Sequence, residues 1–377
     1  MDCVLVRYGE IGTKSGHVRG QMAAVLRQRV ADRLQFEGIE YGKVSDVPGR
    51  VVVRGCDAGR AARVLDSVPG VASVSPAVRV DAGMESIKSA AKGFEYGDTF
   101  GVDAVTAFTD MSSRSIKEEL GAYVEELKGL DVDLDDPDTW LEVEVRDEDA
   151  YVFTERFEGV GGLPVGTQDC YAALISGGID SPVAAFQVMK RGADIVPVYF
   201  YNRPVSAEDH LIRFEEAVRE LRKFHPGKDW SYLVVDMKEV NEELMKVDKG
   251  RMVLHRRIMF RVAEELSESR GLKGIVTGES LGQKSSQTSQ NLKMTSRAVD
   301  LPVMRPLLSF NKEEITGKAR EIGTFELAEV NSACRTMAPE SPSTALKGSQ
   351  LEELRKKTDT DELVEKALET VEERKLD

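Results

Sequence analysis

The spacing of hydrophobic and polar positions changes several times along the 377-residue chain. In the first part, apolar strands at 4–8 and 51–54 flank a helix at 18–36, and a shorter helix and strand follow at 61–65 and 71–78. The long helix carries apolar residues at helical spacing, namely Met22, Val25, Leu26, Val30 and Leu34. This alternation predicts a small ferredoxin-like α+β unit, and we place the border of the N-terminal domain at residue 60.

A second pattern begins at residue 84. It predicts helices at 84–93 and 113–127 and strands at 99–108, 140–145 and 150–155. Four glycines and a proline then fall within residues 159–166, a composition typical of a link between domains. We therefore assign residues 61–164 to a second domain.

Apolar strands alternate with amphipathic helices from residue 170 onward. The predicted strands are 171–175, 195–200, 232–235 and 274–277, and the predicted helices are 182–191, 206–224, 252–269 and 312–322. This succession predicts a doubly wound parallel sheet in a domain of residues 165–377, and such sheets bind ligands at the carboxyl ends of their strands. We interpret the charged tail, 351–377, as one helix that packs on this domain or forms a homodimer interface.

Composition indicates an ordinary globular protein, with 41% hydrophobic residues. We find no run of about 18 apolar residues and no basic or long apolar leader, so we expect neither a membrane span nor a signal peptide. Four scattered cysteines without a C-x-x-C pair favour neither a disulfide framework nor a metal site. We expect a reducing, cytoplasmic location.

The net charge of −14 is unevenly distributed. Residues 1–60 carry +3, residues 61–164 carry −14 and residues 165–377 carry −3. An acidic protein is a poor partner for nucleic acid, but this distribution leaves both ends of the chain able to present a basic groove. We interpret the acidic block at 125–149 as solvated surface.

The strongest chemical signal is the segment Leu-Ile-Ser-Gly-Gly-Ile-Asp-Ser that begins at Leu174. It joins a buried strand to a helix, and the amide groups of a Gly-rich turn at a helix N-terminus favour an anion. It fits neither the dinucleotide fingerprint nor the Walker loop. Its core instead resembles the pyrophosphate-binding loop of ATP pyrophosphatases.

Each polar residue of this loop has a candidate role. Gly177 and Gly178 allow a phosphate to approach the backbone and permit a positive φ, while Ser176 and Ser181 offer hydroxyl donors. Asp180 is interpreted as a Mg²⁺ ligand or a positioning acid, with a helix N-cap as the structural alternative.

Further candidates lie elsewhere in the last domain. Tyr199 and Phe200 end the second strand and are placed to cover an adenine, although aromatic strand ends are usually core. The polar loop 277–288 follows the fourth strand. Arginines that could neutralise phosphates share one helix, namely Arg256, Arg257 and Arg261.

Several motifs in order resemble those of one family, the tRNA 4-thiouridine synthetases of the ThiI type, over nearly the full length. They are residues 7–14, 161–167, 176–181, 277–288 and 311–315, followed by Cys334 and Ser341-Pro342. The resemblance implies a ferredoxin-like domain, a THUMP domain that binds tRNA, and a PP-loop ATP pyrophosphatase domain.

The resemblance also implies a reaction. ATP, with Mg²⁺, adenylates O4 of uridine 8 in tRNA and releases pyrophosphate, and a sulfur nucleophile then displaces AMP. Asp180 and Lys312 would serve adenylation, and Cys334 would serve sulfur transfer. The implied ATP contacts are Leu174, Ile175, Ser176, Gly177, Gly178, Ser181, Tyr199, Phe200, Arg256, Gly278 and Gln287.

The chain departs from some relatives in its sulfur chemistry. It ends at Asp377 without the rhodanese domain of other members, and Met252-Val253-Leu254-His255 stands where archaeal-type relatives carry a C-x-x-C pair. We therefore do not expect an iron–sulfur cluster, and the donor, sulfide or a persulfide-carrying protein, is left open. Cys170 is interpreted as a buried strand residue rather than a second reactive thiol.

Three other functions are alternatives to tRNA thiolation. A PP-loop ligase acting on a small molecule would leave residues 1–164 unexplained. A non-catalytic RNA-binding protein predicts the loss of Asp180, Lys312 or Cys334, and all three are present. A sulfur-transfer role in thiamine thiazole synthesis, shared by some members of the family, remains open.

Overall fold

The computed structural model describes residues 1–204, 209–247, 249–328 and 344–376. The chain forms two compact units. The first contains Met1–Val165 with His225–Gly227, and the second contains Gly166–Phe224 with Lys228–Asp377. None of the helices in the described ranges has both the length and the apolar character needed to cross a bilayer.

The first unit contains one sheet covered by helices. Its strands are β1 (Cys3–Arg7), β2 (Lys43–Val47), β3 (Arg50–Arg54), β4 (Ser73–Asp81), β5 (Thr99–Ala107), β6 (Asp131–Val132), β7 (Thr139–Arg146), β8 (Asp149–Phe153) and β9 (Phe157–Glu158). Its helices are α1 (Gly16–Phe36), α2 (Ala58–Leu65), α3 (Met84–Ala91) and α4 (Ser113–Lys128), with a 3₁₀ turn at Glu10–Thr13. The strand order is β2-β3-β1-β4-β8-β7-β5-β6, and β9 pairs with β4.

The first six elements of the chain, β1-α1-β2-β3-α2-β4, confirm the ferredoxin-like prediction. Strand β1 lies between β3 and β4 and is antiparallel to both. The apolar stripe of α1, which includes Leu26 and Val30, is buried against this sheet. The predicted border at residue 60 falls inside α2, whose Ala58 and Ala62 lie in the same core as α1.

Strand β4 is shared by the two halves of this unit. Its residues 73–77 pair with β1, and its residues 78–81 pair with β8. Beyond β8, strand β7 pairs in parallel with β5 over residues 139–146, above a second core formed with α3 and α4. One continuous strand therefore carries the backbone pairing from the ferredoxin-like half into the second half.

The acidic block 125–149 is not solvated throughout, so that interpretation is wrong at Glu144. Residues Asp131–Val132 are exposed, but the side chain of Glu144 is only 3% exposed. Its carboxylate pairs with Arg7, with Arg50 at 3.0 Å and with Arg146 at 3.2 Å. Burial alone would raise the pKa of Glu144, but the neighbouring arginines hold it below its ordinary value.

The glycine-rich link is hydrogen-bonded to the first unit rather than free. The amide of Gly159 donates to the carbonyl of Ala72 at 2.8 Å, and that of Gly161 donates to Val71 at 2.7 Å. A Cβ atom on Gly159 would lie 2.3 Å from the Val71 oxygen, so the close approach requires glycine.

The second unit is built around a mostly parallel sheet. Its strands are β10 (Cys170–Leu174), β11 (Asp194–Tyr201), β12 (Ser231–Asp236), β13 (Ile275–Val276), β14 (Val303–Met304) and β15 (Glu372–Lys375). Its helices are α5 (Asp180–Lys190), α6 (Asp209–Arg222), α7 (Lys238–Leu244), α8 (Arg251–Arg270), α9 (Ser289–Ser296), α10 (Lys312–Glu321), α11 (Gly348–Lys357) and α12 (Thr360–Glu369), with a 3₁₀ turn at Ser285–Gln287. The strand order is β14-β13-β10-β11-β12-β15.

Helices cover both faces of this sheet, as the prediction of a doubly wound fold requires. On one face, Leu174, Phe200 and Val235 share a core with α7, α8 and α12. On the other, Tyr199 packs against Phe214 of α6 with ring centroids 4.9 Å apart. The alternation follows from the two-residue period of a strand.

The prediction of a single tail helix is wrong. The tail forms α11, α12 and an edge strand, β15, antiparallel to β12. Helix α12 is the packing helix, because its apolar stripe, including Leu363 and Val364, is buried in the core. The sequence of Glu372–Lys375 lacks the apolar alternation that predicts a strand. Its backbone pairs at the sheet edge, while its charged side chains remain largely in solvent.

Candidate active site

The carboxyl ends of β10, β11 and β13 open onto a cavity of about 530 Å³. Of the predicted site residues that the structure describes, all except Arg257 and Arg261 line it, namely Leu174, Ile175, Ser176, Gly177, Gly178, Asp180, Ser181, Tyr199, Phe200, Arg256, Gly278, Gln287 and Lys312. Their placement together follows from the parallel sheet, because strand ends of one direction meet at one edge. Their individual roles stay predictions.

The loop between β10 and α5 is held by its two serine hydroxyls. The Oγ of Ser181 accepts a hydrogen bond from the Ser176 amide at 2.8 Å and lies 3.0 Å from the Ser176 Oγ. Neither Gly177 nor Gly178 has a positive φ, so that expectation is wrong. Gly177 instead provides room, because a Cβ atom there would lie 3.3 Å from the carbonyl oxygen of His210.

Gly278 allows the loop after β13 to touch the start of α5. A Cβ atom on Gly278 would lie 2.7 Å from the Ser181 nitrogen and 2.8 Å from the carbonyl carbon of Asp180. Real Cβ atoms do not approach backbone atoms this closely, so any larger residue would push the two loops apart. The glycine therefore sets the depth of the cavity at the phosphate-type loop.

Asp180 faces the cavity instead of capping its own helix. The N-cap of α5 is Ile179, and no side chain caps that end. The Asp180 carboxylate instead accepts hydrogen bonds from Lys312 Nζ at 2.9 Å and from Gln283 Nε2 at 3.3 Å. The N-cap alternative is therefore wrong.

Lys312 is placed by the start of α10. Asn311 and Glu314 form a capping box: the Asn311 side chain accepts from the Glu314 amide at 2.9 Å, and Glu314 accepts from the Asn311 amide at 2.7 Å. This box fixes Lys312 as the first residue of the helix. Its side chain is 54% exposed and reaches the less exposed carboxylate of Asp180.

Arg256 is the one of the three predicted arginines that lines this cavity. Its Nε lies 3.9 Å from Oε1 of Glu279, a fully buried carboxylate that also accepts a hydrogen bond from Arg305 Nε at 2.8 Å. Glu279 therefore balances two guanidinium groups. It holds Arg256 at the cavity wall through charge rather than through a hydrogen bond.

The expectation that Arg257 and Arg261 serve the same cavity is wrong. Both side chains leave α8 on another side, where Arg257 bonds the carbonyl of Met294 and Arg261 pairs with Asp361. Neither lines the cavity at the strand ends.

Two further wall residues were missed by the sequence analysis. His255 is buried, and its Nε2 lies 3.0 Å from Oδ1 of Asn202. Burial lowers the pKa of His255 to about 3, so the ring is neutral and Nε2–H donates to the amide oxygen. Asn202 directly follows the end of β11. A polar residue at the carboxyl end of a parallel strand is the sequence feature that could have identified it as a site residue.

Tyr199 and Phe200 line the cavity as parts of the core. Tyr199 is 3% exposed and Phe200 is 4% exposed. The core alternative is thus correct for the bulk of both rings, and only their edges are available to a ligand.

Cys334 and the motif residues Ser341 and Pro342 lie outside the described residues. The described chain on both sides of them is close to the cavity. Ala328 lines it, and the carbonyl of Thr344 accepts a hydrogen bond from Thr288 at 2.7 Å, next to Gln287.

Cys170 lies at the amino end of β10, at the edge opposite the cavity. Its side chain packs against the core, and burial raises the pKa of its thiol. Over the part of the chain that the structure describes, no group of three or more His, Cys, Asp or Glu side chains is arranged to hold a metal.

Comparison with protein-family models gives three matches. The model described as Thiamine biosynthesis protein (ThiI) matches residues 166–360, the ThiI ferredoxin-like domain matches 3–75, and the THUMP domain matches 84–155.

Curated relatives and solved structures agree with these matches. The chain is 44% identical to a probable tRNA sulfurtransferase of Halobacterium salinarum over 91% of this chain and 90% of the relative. It is 39% identical to one of Thermococcus kodakarensis over 94% and 95%. The crystal structure of a 4-thiouridine synthetase–RNA complex with bound ATP is 34% identical, with a TM-score of 0.87 over the whole of both chains.

Proposed function

Because the chain belongs to the ThiI family of tRNA sulfurtransferases, we propose that it replaces O4 of uridine 8 in tRNA with sulfur at the expense of ATP. The observation that carries this proposal is the meeting of the Ser176–Ser181 turn, the Asp180–Lys312 pair and Arg256 around one cavity. Together these residues form an anion site in a cavity that has room for a base.

The first step is adenylation. O4 of the uridine attacks the α-phosphorus of ATP while the N3 proton is lost to solvent. The bond to the β-phosphate bridging oxygen breaks, and pyrophosphate leaves. The loop amides and the hydroxyls of Ser176 and Ser181 would bind phosphate oxygens. Lys312 and Arg256 would offset the negative charge that develops on the leaving pyrophosphate.

Mg²⁺ fits the residues of this cavity. The ion prefers one or two carboxylates together with substrate phosphates, and the cavity wall contains Asp180 and Glu326. When bound, it would neutralise phosphate charge. Asp180 would then hold either the ion or the ammonium group of Lys312.

The second step needs a sulfur nucleophile. Sulfur attacks C4 of the adenylated base, and AMP leaves with the bonding electron pair. Free sulfide would attack C4 directly and needs no carrier. We assign to Cys334 the transfer from a persulfide-carrying protein: its thiolate takes the outer sulfur and the donor leaves as a thiolate. The Cys334 persulfide then attacks C4, and an external thiol reduces the resulting disulfide to free 4-thiouridine and Cys334. The length of the chain supports the assignment. Cys334 lies six positions after Ala328 of the cavity wall, and six extended residues span roughly 20 Å at most.

The tRNA partner is supported by the THUMP match at residues 84–155 and by the RNA in the similar complex. The same match argues against a PP-loop ligase for a small molecule, which has no use for that part of the chain. We also propose that the protein is cytoplasmic and forms a homodimer.

A second function, sulfur transfer for thiamine thiazole synthesis, is favoured by one observation. The family model that covers residues 166–360 is described as a thiamine biosynthesis protein. The two functions differ in the acceptor of the sulfur.

The deciding experiment incubates the purified protein with unmodified tRNA, ATP, Mg²⁺ and sulfide, and measures AMP and modified nucleosides by mass spectrometry. We expect 4-thiouridine and AMP in equal amounts, and neither with EDTA. A tRNA with cytidine at position 8 is the matched control. If neither product forms with the uridine-containing tRNA, the proposal is overturned.

The role of Cys334 is tested separately. We expect Cys334→Ala to release pyrophosphate in a normal first turnover but to lose thiolation, and with it AMP release, with a persulfide donor. Cys170→Ala is the control and should keep both activities. Equal thiolation by Cys334→Ala and the unchanged protein with the persulfide donor would remove the cysteine from the mechanism.

A further inference from the structure

A second cavity lies on the far side of α8 from the active-site cavity. It has a volume of about 270 Å³ and is lined by Leu254, Arg257, Ile258 and Arg261 of α8, together with Arg297, Ala298 and the first residues of α12. The four α8 residues recur at i, i+3, i+4 and i+7, so they form one stripe of the helix. The helix therefore presents one wall to each cavity.

The neighbouring residues Arg256 and Arg257 show this division. Arg256 lines the active-site cavity, whereas Arg257 lines the second one. A helix with its side chains is about 10–12 Å across, and this sets the separation of the two spaces. A ligand long enough to span one helix diameter can occupy both.

The second cavity carries positive charge on an otherwise acidic protein. Among the lining residues that the structure describes, three guanidinium groups face one carboxylate, that of Asp361, which is 68% exposed and pairs with Arg261. The local balance is therefore positive, whereas the chain as a whole carries −14. All the cationic side chains in this described lining are arginines, and arginine favours an oxyanion that accepts two parallel hydrogen bonds, such as a phosphate.

Arg297 is the group available to such an anion. Within the described chain, its guanidinium has neither a hydrogen-bond partner nor an acidic partner. It follows α9, whose exposed Lys293 lies one turn earlier and whose N-cap, Thr288, comes directly after Gln287 of the active-site cavity. Lys293 and Arg297 thus add two positive charges along the segment that leads from one cavity to the other.

We infer that the second cavity is a docking site for a backbone phosphate of the RNA substrate, close in the chain to the nucleotide that reacts. The inference rests on the proposed function. An enzyme that acts on a base inside a folded RNA must take that base out of its stack, and it must hold the adjoining backbone to do so. A phosphate bound one helix diameter from the reacting base provides that contact. A free inorganic phosphate has the same chemistry, so the test must separate the two sources.

The test measures tRNA binding by the full-length protein without ATP, by fluorescence anisotropy at several salt concentrations. The variant Arg297→Glu changes an exposed group that has no partner among the described residues, so the fold should persist. We expect its tRNA dissociation constant to rise roughly fivefold near 0.1 M salt, and its salt slope to fall by about one, as for one lost phosphate contact. ATP binding, measured by calorimetry, should not change.

Lys273→Glu is the matched control, because Lys273 is exposed in the same unit at the opposite edge of the sheet, beside Cys170. It should bind tRNA like the unchanged protein. Calorimetry with inorganic phosphate forms a second arm. If phosphate binds the unchanged protein, is lost in Arg297→Glu, and tRNA binding is equal in both, the site serves a free anion and the inference is wrong.

The remaining outcomes are also decisive. If the unchanged protein binds tRNA and Arg297→Glu matches it at every salt concentration, the docking site is excluded and the proposed function stands. If the unchanged protein binds no tRNA, both fail. In a single variant, Arg257 could still bind the phosphate in place of Arg297. The double variant Arg257→Gln with Arg297→Gln should therefore weaken tRNA binding further than Arg297→Gln alone.

Discussion

The ammonium nitrogen of Lys312 lies 2.9 Å from a carboxylate oxygen of Asp180, 132 positions earlier in the chain. Neither residue is fixed by the pair alone: Asp180 begins α5, and the capping box of Asn311 and Glu314 begins α10. The fold thus brings a cation and an acid together at the phosphate-type loop by placing two helix starts side by side.

Replacing this lysine should affect chemistry more than stability. We expect Lys312→Ala to lower the rate of AMP formation by about 100-fold or more, as for loss of one group that stabilises transition-state charge. The pair is half exposed, so the free energy of unfolding should change by no more than about 1 kcal/mol. Lys318→Ala on the same helix, which loses only an exposed pair with Glu321, is the control and should keep full activity.

A methyl group at Gly278 should close the active-site cavity. Gly278→Ala would place Cβ 2.7 Å from the Ser181 nitrogen, and the start of α5 must shift to relieve this contact. We expect weaker ATP binding by calorimetry and a large loss of AMP formation. Gly317→Ala is the opposite case, because no atom lies within 4 Å of its added Cβ in α10, and it should raise stability by roughly 0.5–1 kcal/mol.

Removal of the buried carboxylate at Glu279 should be strongly destabilising. Glu279→Ala leaves Arg305 without its 2.8 Å partner and Arg256 without a countercharge, and breaking a buried ion pair costs about 3–5 kcal/mol. Urea unfolding measures the change. Glu321→Ala, which removes an exposed carboxylate, should stay within about 0.5 kcal/mol of the unchanged protein. A similar small change in Glu279→Ala would show that the arginines find other partners.

The buried histidine should make stability depend on mildly acidic pH. The pKa of His255 is about 3 in the folded protein, against an ordinary value of 6.5, because the ring is buried. As the pH falls below 6.5, the unfolded chain takes up a proton that the folded protein does not, so the folded state loses stability. This residue alone should reduce the free energy of unfolding by about 1.4 kcal/mol between pH 7.5 and pH 5.5.

The measurement compares urea unfolding of the unchanged protein with that of His255→Gln at both pH values. Glutamine keeps a donor for Asn202 but does not titrate in this range. The variant should show a smaller loss by the stated amount. Equal losses in the two proteins would mean that His255 becomes protonated without unfolding.

The sequence was most informative where one local rule decides the outcome. Strand ends in a parallel sheet meet at one edge, so the sequence alone predicts that the loop at Ser176 and the loop at Gly278 lie at one cavity. The stripe of α1, with Leu26 and Val30, was likewise set by helical spacing. Lys312 was different, because only the family resemblance selected it.

The errors share a cause: burial and partners depend on tertiary contacts that no local pattern encodes. Glu144 belongs to an acidic block, yet it is buried because three arginines from separate strands reach it. The charged strand β15 carries no alternation, since its backbone alone provides the pairing. Adjacent arginines on α8 serve different cavities because one residue turns a helix by about 100°.

The shared strand β4 has a consequence for how this protein can be taken apart. Family models place a border between residues 75 and 84, yet strand Ser73–Asp81 runs through it and is bonded to β1 on one stretch and to β8 on the next. A break in the chain there would leave two open sheet edges. We therefore expect neither half to fold when it is transferred alone into a chimaeric protein. Residues 1–165 should accordingly melt in one calorimetric transition, and modular exchange would succeed only if it carried the whole of that segment.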